Sequence, residues 1–88
     1  MPYSPDISPA LADKMKKIKK KNFVLFSRII KKIDEVIQNP EHYKPLSYDM
    51  KNKRRVHLDP FVLTFAIKES ENVVLFLDVE HHDKAYKR

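Results

Sequence analysis

The sequence predicts an α+β fold in the order β-α-α-β-β-β. An N-terminal helical hairpin would pack on one face of a small, mostly antiparallel twisted sheet. Three observations predict this. Between Ser8 and Gln38 the apolar residues recur at three- and four-residue spacing, the period of a helix. After Asn52 the period falls to two, and then to a nearly continuous apolar run, as strands require. Helices come first and strands after, the order of an α+β chain rather than an alternating α/β one. With 88 residues, the natural reading is a single domain over 1–88.

Each element follows from local signals. Tyr3–Ile7 suits a short edge strand, because Pro5 removes a ladder donor and is tolerated only at an edge. Ser8-Pro9 reads as N-cap and first helical position. Leu11, Met15 and Ile18 then form the stripe of a three-turn helix. Asn22 opens a second helix to about Gln38, striped by Phe26, Ile29/Ile30, Ile33 and Val36/Ile37 and stopped by Asn39-Pro40. A polar connector covers 39–52. In 53–58, Lys53, Arg55 and His57 alternate with Arg54, Val56 and Leu58, so the two sets occupy opposite faces of a strand. Asp59-Pro60 turns the chain into Phe61–Ile67, whose unbroken apolar character suits a central strand covered on both faces. Lys68–Asn72 is a polar loop, and Val73–Val79 completes a hairpin.

Composition excludes several chemistries. The absence of cysteine removes disulfides, thiolate nucleophiles and Cys-ligated zinc, and fits a reducing, cytoplasmic setting. The absence of glycine removes Gly-rich phosphate cradles. The longest apolar stretch is far too short to span a membrane, and the N-terminus lacks a signal-peptide pattern. The net charge of +6 is unevenly placed. Residues 14–55 hold 14 basic and four acidic residues, whereas 1–13 and 56–88 are each slightly acidic. Such a block suits a polyanion or an acidic partner, although a lysine run such as Lys14–Lys21 also suits a solvated helix face.

The sheet face away from the helices would carry Lys53, Arg55 and His57, and the tail could bring His81, His82 and Tyr86 to it. Imidazoles, cations and an aromatic together suit cleavage of an RNA phosphodiester. That reaction needs a base for the 2′-hydroxyl, an acid for the departing 5′-oxygen and cations for the phosphorane charge. Each residue also has a plainer reading. His57 could be a hydrogen-bonded surface histidine, Lys53-Arg54-Arg55 a solvated strand edge, and Tyr86 a cover for the core. A metal site at His81-His82-Asp83 is disfavoured, since adjacent side chains on extended backbone point apart. From these residues, a basic binding module and a nuclease are nearly tied.

Residues along nearly the whole chain carry a resemblance. They are Ser8-Pro9-Ala10-Leu11 onward through Ile18, helix two ending Ile33-Asp34-Glu35-Val36-Ile37-Gln38-Asn39-Pro40, Lys44-Pro45-Leu46, Arg55-Val56-His57-Leu58, the hairpin Phe61–Val79, and the close His81-His82-Asp83-Lys84-Ala85-Tyr86. In order and spacing the chain resembles the RelE/ParE superfamily of toxin–antitoxin toxins, most like its RelE branch. The resemblance implies an endoribonuclease that cuts mRNA in the ribosomal A site by attack of the 2′-hydroxyl, with no metal or other cofactor. It implies a RelB-like antitoxin partner. It places Arg55, His57, His81, His82 and Tyr86 at the catalytic site, with Arg55 as phosphate cation and Tyr86 stacking or orienting. RNA or rRNA contacts would fall to Lys14, Lys17, Lys20, Lys21, Lys51, Lys53, Arg54 and Lys84. There are departures from the family pattern. Val62 stands where many relatives carry an arginine after the aromatic, Asp59-Pro60 replaces a glycine turn, and His82 replaces the arginine of a His-Arg pair. Two other readings follow: a ParE-like toxin that inhibits gyrase, and a decayed homologue that only binds antitoxin or RNA.

Overall fold

The computed structural model describes residues 3–43 and 53–85. Strand β1 (Ser4–Ile7) leads into helices α1 (Pro9–Lys21) and α2 (Phe23–Gln38), followed by a single 3-10 turn at Pro40–His42. Strands β2 (Lys53–Leu58), β3 (Phe61–Lys68) and β4 (Val73–His81) come next, and a short helix α3 (His82–Ala85) follows. The sheet order is β1-β4-β3-β2, with β1 parallel to β4 and the other two pairings antiparallel. The predicted order is therefore observed, with α3 as an addition.

Local chemistry accounts for the helix ends. The Ser8 hydroxyl accepts the Leu11 N–H at 3.1 Å and donates to the Leu77 carbonyl at 2.8 Å, so one hydroxyl caps α1 and ties it to β4. Asn22 serves two helices. Its backbone N–H caps Ile18 at the end of α1, and its side-chain oxygen accepts from Leu25 at the start of α2. The hairpin is thus joined through one residue. In a chain without glycine, the left-handed position before β4 falls to Asn72 at φ 55°, which a short polar side chain tolerates.

The core lies between the helix pair and one sheet face. Leu11 and Met15 of α1 and Leu25, Ile29, Ile33 and Val36 of α2 pack on Val56, Leu63, Phe65 and Phe76. The α2 stripe differs from the expected one by a rotation. Leu25 is buried while Phe26 is only partly covered, and Ile30 stays 45% exposed. The reason is the neighbour: α1 and β1 flank α2, so the buried arc centres on Ile29 and Ile33. At the N-terminus, Tyr3 donates its backbone N–H to Ile37 and its hydroxyl to Glu41. Burial, aided by the Glu41 carboxylate, pushes the Tyr3 phenol above its ordinary pKa.

Beyond Ile7, β1 no longer covers β4, and the exposed edge of β4 needs other donors. The Ser8 backbone N–H supplies the Phe76 carbonyl, and the Lys14 ammonium supplies Val79 at 2.9 Å and the Asp78 carboxylate at 2.7 Å. A register shift between Thr64 and Phe65 accommodates an extra residue in β4 at this point.

Candidate active site

Strand register builds the site. Val56, Leu63 and Val79 oppose one another across β2, β3 and β4 and face the core. The next register row, His57, Val62 and Glu80, therefore faces the open side of the sheet. Arg55 and Thr64 form the following row on that same face, and Lys53 lies beyond them. The alternation expected for 53–58 is observed, with Val56 and Leu58 buried and Lys53 and His57 exposed.

Val62 is 1% exposed and yet lies apart from the main core cluster. It is covered on the open face, where His57 and Glu80 flank it in register and α3 returns over β3. The His82 backbone N–H donates to the Pro60 carbonyl at 2.7 Å, which anchors the start of α3 at the β2–β3 turn. The His82 ring then faces the His57 ring, with centroids 6.4 Å apart and planes inclined by 37°. Two imidazoles thus meet over an apolar floor, with Arg55 one row away.

His81 lies on the other side. It opposes Phe61 in register, and their rings make an edge contact at 5.7 Å. With Lys14, Ile18, Leu25 and Lys84 these two rings line a groove of about 350 Å³ beside the helix pair. The expectation that the tail gathers both histidines at one place is therefore corrected. His81, the last residue of β4, turns to the helix side, and His82, the first residue of α3, lies against His57 on the open face. Asp83 stands near both, with its carboxylate oxygens 3.7 Å and 3.8 Å from the two Nδ1 atoms.

The other predicted residues divide similarly. Lys53 is exposed on the open face. Arg54 lies on the opposite face, where its guanidinium donates to the carbonyls of Glu41 and Tyr43, closing the chain after α2. The Lys14 ammonium is held by β4. Lys17, Lys20 and Lys21 are exposed along α1, on the helix side of the sheet, and Lys84 is exposed on α3. Lys51, Tyr86 and Lys44-Pro45-Leu46 lie outside the described residues. Among the described residues, no group of three His, Asp or Glu side chains could hold a metal ion.

The sequence reading did not place Glu80 on the open face, and it weighed Asp83 only as a metal ligand beside His81 and His82. Glu80 has a legible signal: it alternates with the core residue Val79 along β4, so it takes the opposite face. The backbone N–H of Asp83 is held by the His81 ring, and no side-chain pattern announces that.

Residues 6–86 match the family model described as the ParE toxin of type II toxin–antitoxin systems, parDE. The chain belongs to the RelE/ParE family of toxins. A relative from Methanocaldococcus jannaschii named "Putative toxin RelE4" is 39% identical, over 98% of this chain and 93% of the relative. Among solved structures, the isolated Escherichia coli RelE toxin superposes on this toxin with a TM-score of 0.75 at 18% identity, covering 94% of each chain. The toxin–antitoxin complex RelBE2 from Mycobacterium tuberculosis contains a chain with a TM-score of 0.76 at 16% identity, covering 92% of this toxin and 99% of that chain. At those identities the structural likeness speaks to the fold. The family assignment rests on the model match and the archaeal relative.

Proposed function

We propose that this toxin is a ribosome-dependent endoribonuclease that cleaves mRNA in the A site by 2′-hydroxyl attack, using its own side chains and no metal. The observation that carries the reading is the pair of imidazoles, His57 and His82, facing each other over the Val62 floor beside Arg55. With ring centroids 6.4 Å apart, the two imidazoles can address one phosphodiester from neighbouring positions on the open face. One imidazole, as the free base, removes the 2′-hydroxyl proton. The 2′-oxygen bonds to phosphorus and the bond to the 5′-oxygen breaks. The other imidazole, protonated, delivers its proton to that leaving oxygen. The products are a 2′,3′-cyclic phosphate and a 5′-hydroxyl. Arg55 supplies positive charge to the phosphorane, as a guanidinium suits a planar oxyanion pair. Lys53 lies on the same face to take flanking backbone phosphate, and Tyr86 is the stacking or orienting group.

A RelB-like antitoxin is the proposed protein partner, and the cytoplasm, where mRNA and ribosomes are found, the proposed compartment. The test uses the full-length toxin with ribosomes carrying a defined mRNA in the A site. Cleavage with 2′,3′-cyclic ends is expected, and it should fall by about 10²–10⁴ in His82→Ala, the usual worth of a positioned proton-transfer group. Intact mRNA with the unaltered toxin would overturn the reading.

A second reading has its own support, since the matching family model is that of ParE toxins. In that case the toxin inhibits DNA gyrase. A supercoiling assay in which the toxin blocks gyrase while mRNA stays intact selects this alternative. A toxin inactive in both assays that still binds antitoxin or RNA is the decayed homologue.

A further inference from the structure

The geometry assigns His81 a positioning role: its ring caps the first turn of α3 and so holds His82 against His57. This rests on the proposed RNA cleavage for its functional consequence, while the cap itself is testable without it.

The Nδ1 atom of His81 accepts the backbone N–H of Asp83 at 3.2 Å. An imidazole nitrogen that accepts carries no proton, so the neutral ring bears its proton on Nε2. The same Nδ1 lies 3.7 Å from the Asp83 carboxylate, within ion-pair range but beyond hydrogen-bond reach, so the hydrogen-bonding position is held by the backbone N–H. The i to i+2 contact is the one an Asn or Asp makes when it opens a turn or caps a helix. A four-residue helix satisfies few of its own backbone groups, so one capped donor is a large share of what holds it. The far edge of the ring packs on Phe61 of β3, which fixes the plane of the cap. The adjacent residue, His82, is pinned by its own N–H to Pro60. The backbone of α3 is thus held at two successive donors, His82 to the β2–β3 turn and Asp83 to the His81 ring. Both constraints serve the orientation of one side chain, His82, across the open face.

This separates the two adjacent histidines by role. His82 touches the reacting atoms, whereas His81, facing the helix side, acts only through the backbone. The distinguishing experiment compares His81→Asn and His81→Ala in the full chain. Asparagine supplies a cap acceptor at the same spacing but cannot transfer protons in an acid–base step. Cleavage on programmed ribosomes should stay within about threefold of the unaltered toxin in His81→Asn, and drop about five- to tenfold in His81→Ala, the effect of removing a cap. The matched readout is amide exchange at Asp83. The unaltered and Asn proteins should exchange several-fold more slowly than the Ala protein. If His81→Asn keeps slow exchange and still loses activity as fully as His81→Ala, the imidazole reacts directly and the assignment fails. If Asp83 exchanges equally fast in all three proteins, there is no cap and it also fails. Should the unaltered toxin cleave no RNA, the proposed function falls while the exchange comparison still decides the cap.

Discussion

At the scale of single residues, the candidate chemistry depends on two histidines that the sequence separates by 25 positions and the sheet brings to a ring separation of 6.4 Å. If one accepts and the other donates a proton, they work as a unit, and removing either disables the same step. The double variant His57→Ala/His82→Ala should therefore cleave little more slowly than the worse single variant, far from the product of the two effects. Single-turnover rates on programmed ribosomes check this, and multiplicative effects would mean that the two rings act in separate steps. Val62 shows why the site departs from the pattern implied by resemblance. At the centre of the open face it is covered, and a valine there gives the two rings a dry support rather than a third cation.

At the scale of elements, the helical hairpin turns on Asn22, which ends one helix with its backbone and starts the next with its side chain. Asn22→Ala keeps the first of these bonds and removes the second, so it should destabilise the fold by about 1 kcal/mol. Urea unfolding should show a lower midpoint at unchanged slope; an unaltered midpoint would mean that the side-chain cap carries no weight. Elements whose residues state their own ends were legible from the sequence: Ser8-Pro9, Asn39-Pro40, and the alternation of Lys53–Leu58 all stand where their chemistry predicted. What was not legible depended on partners distant in the chain. The burial of Leu25 over Phe26 depends on where α1 and β1 lie. Lys14 reads as one more lysine of a basic run, and only the uncovered edge of β4 shows why it is held there. Arg54 reads as part of a basic cluster, yet its carbonyl partners come from Glu41 and Tyr43 across a connector. The split between His81 and His82 falls where β4 ends and α3 begins, and the partners of each ring come from the register of the sheet and the anchoring of α3 at Pro60.

At the scale of the molecule, the basic block is distributed on two sides of one sheet. Lys53 and Arg55 lie on the open face with the paired histidines, whereas Lys17, Lys20 and Lys21 project from α1 on the other side. A short single strand of RNA laid on the open face cannot also reach α1, but a large folded polyanion that surrounds the toxin can. Ribosome association should accordingly fall steeply with salt, because each lysine that neutralises a phosphate releases counterions, whereas binding of a short oligonucleotide should show a shallower slope. Replacing Lys17, Lys20 and Lys21 together by glutamine should flatten the ribosome slope by roughly 0.7–0.9 for each phosphate no longer neutralised. The oligonucleotide slope should stay as it was. Measured as log affinity against log salt for both partners, this comparison separates docking from catalysis. If the triple variant leaves the ribosome slope unchanged, the α1 lysines form a solvated face, and the open-face residues Lys53 and Arg55 become the cations to test next. If instead the oligonucleotide slope changes with them, the bound RNA bends around the sheet edge, and the open face is only part of its path.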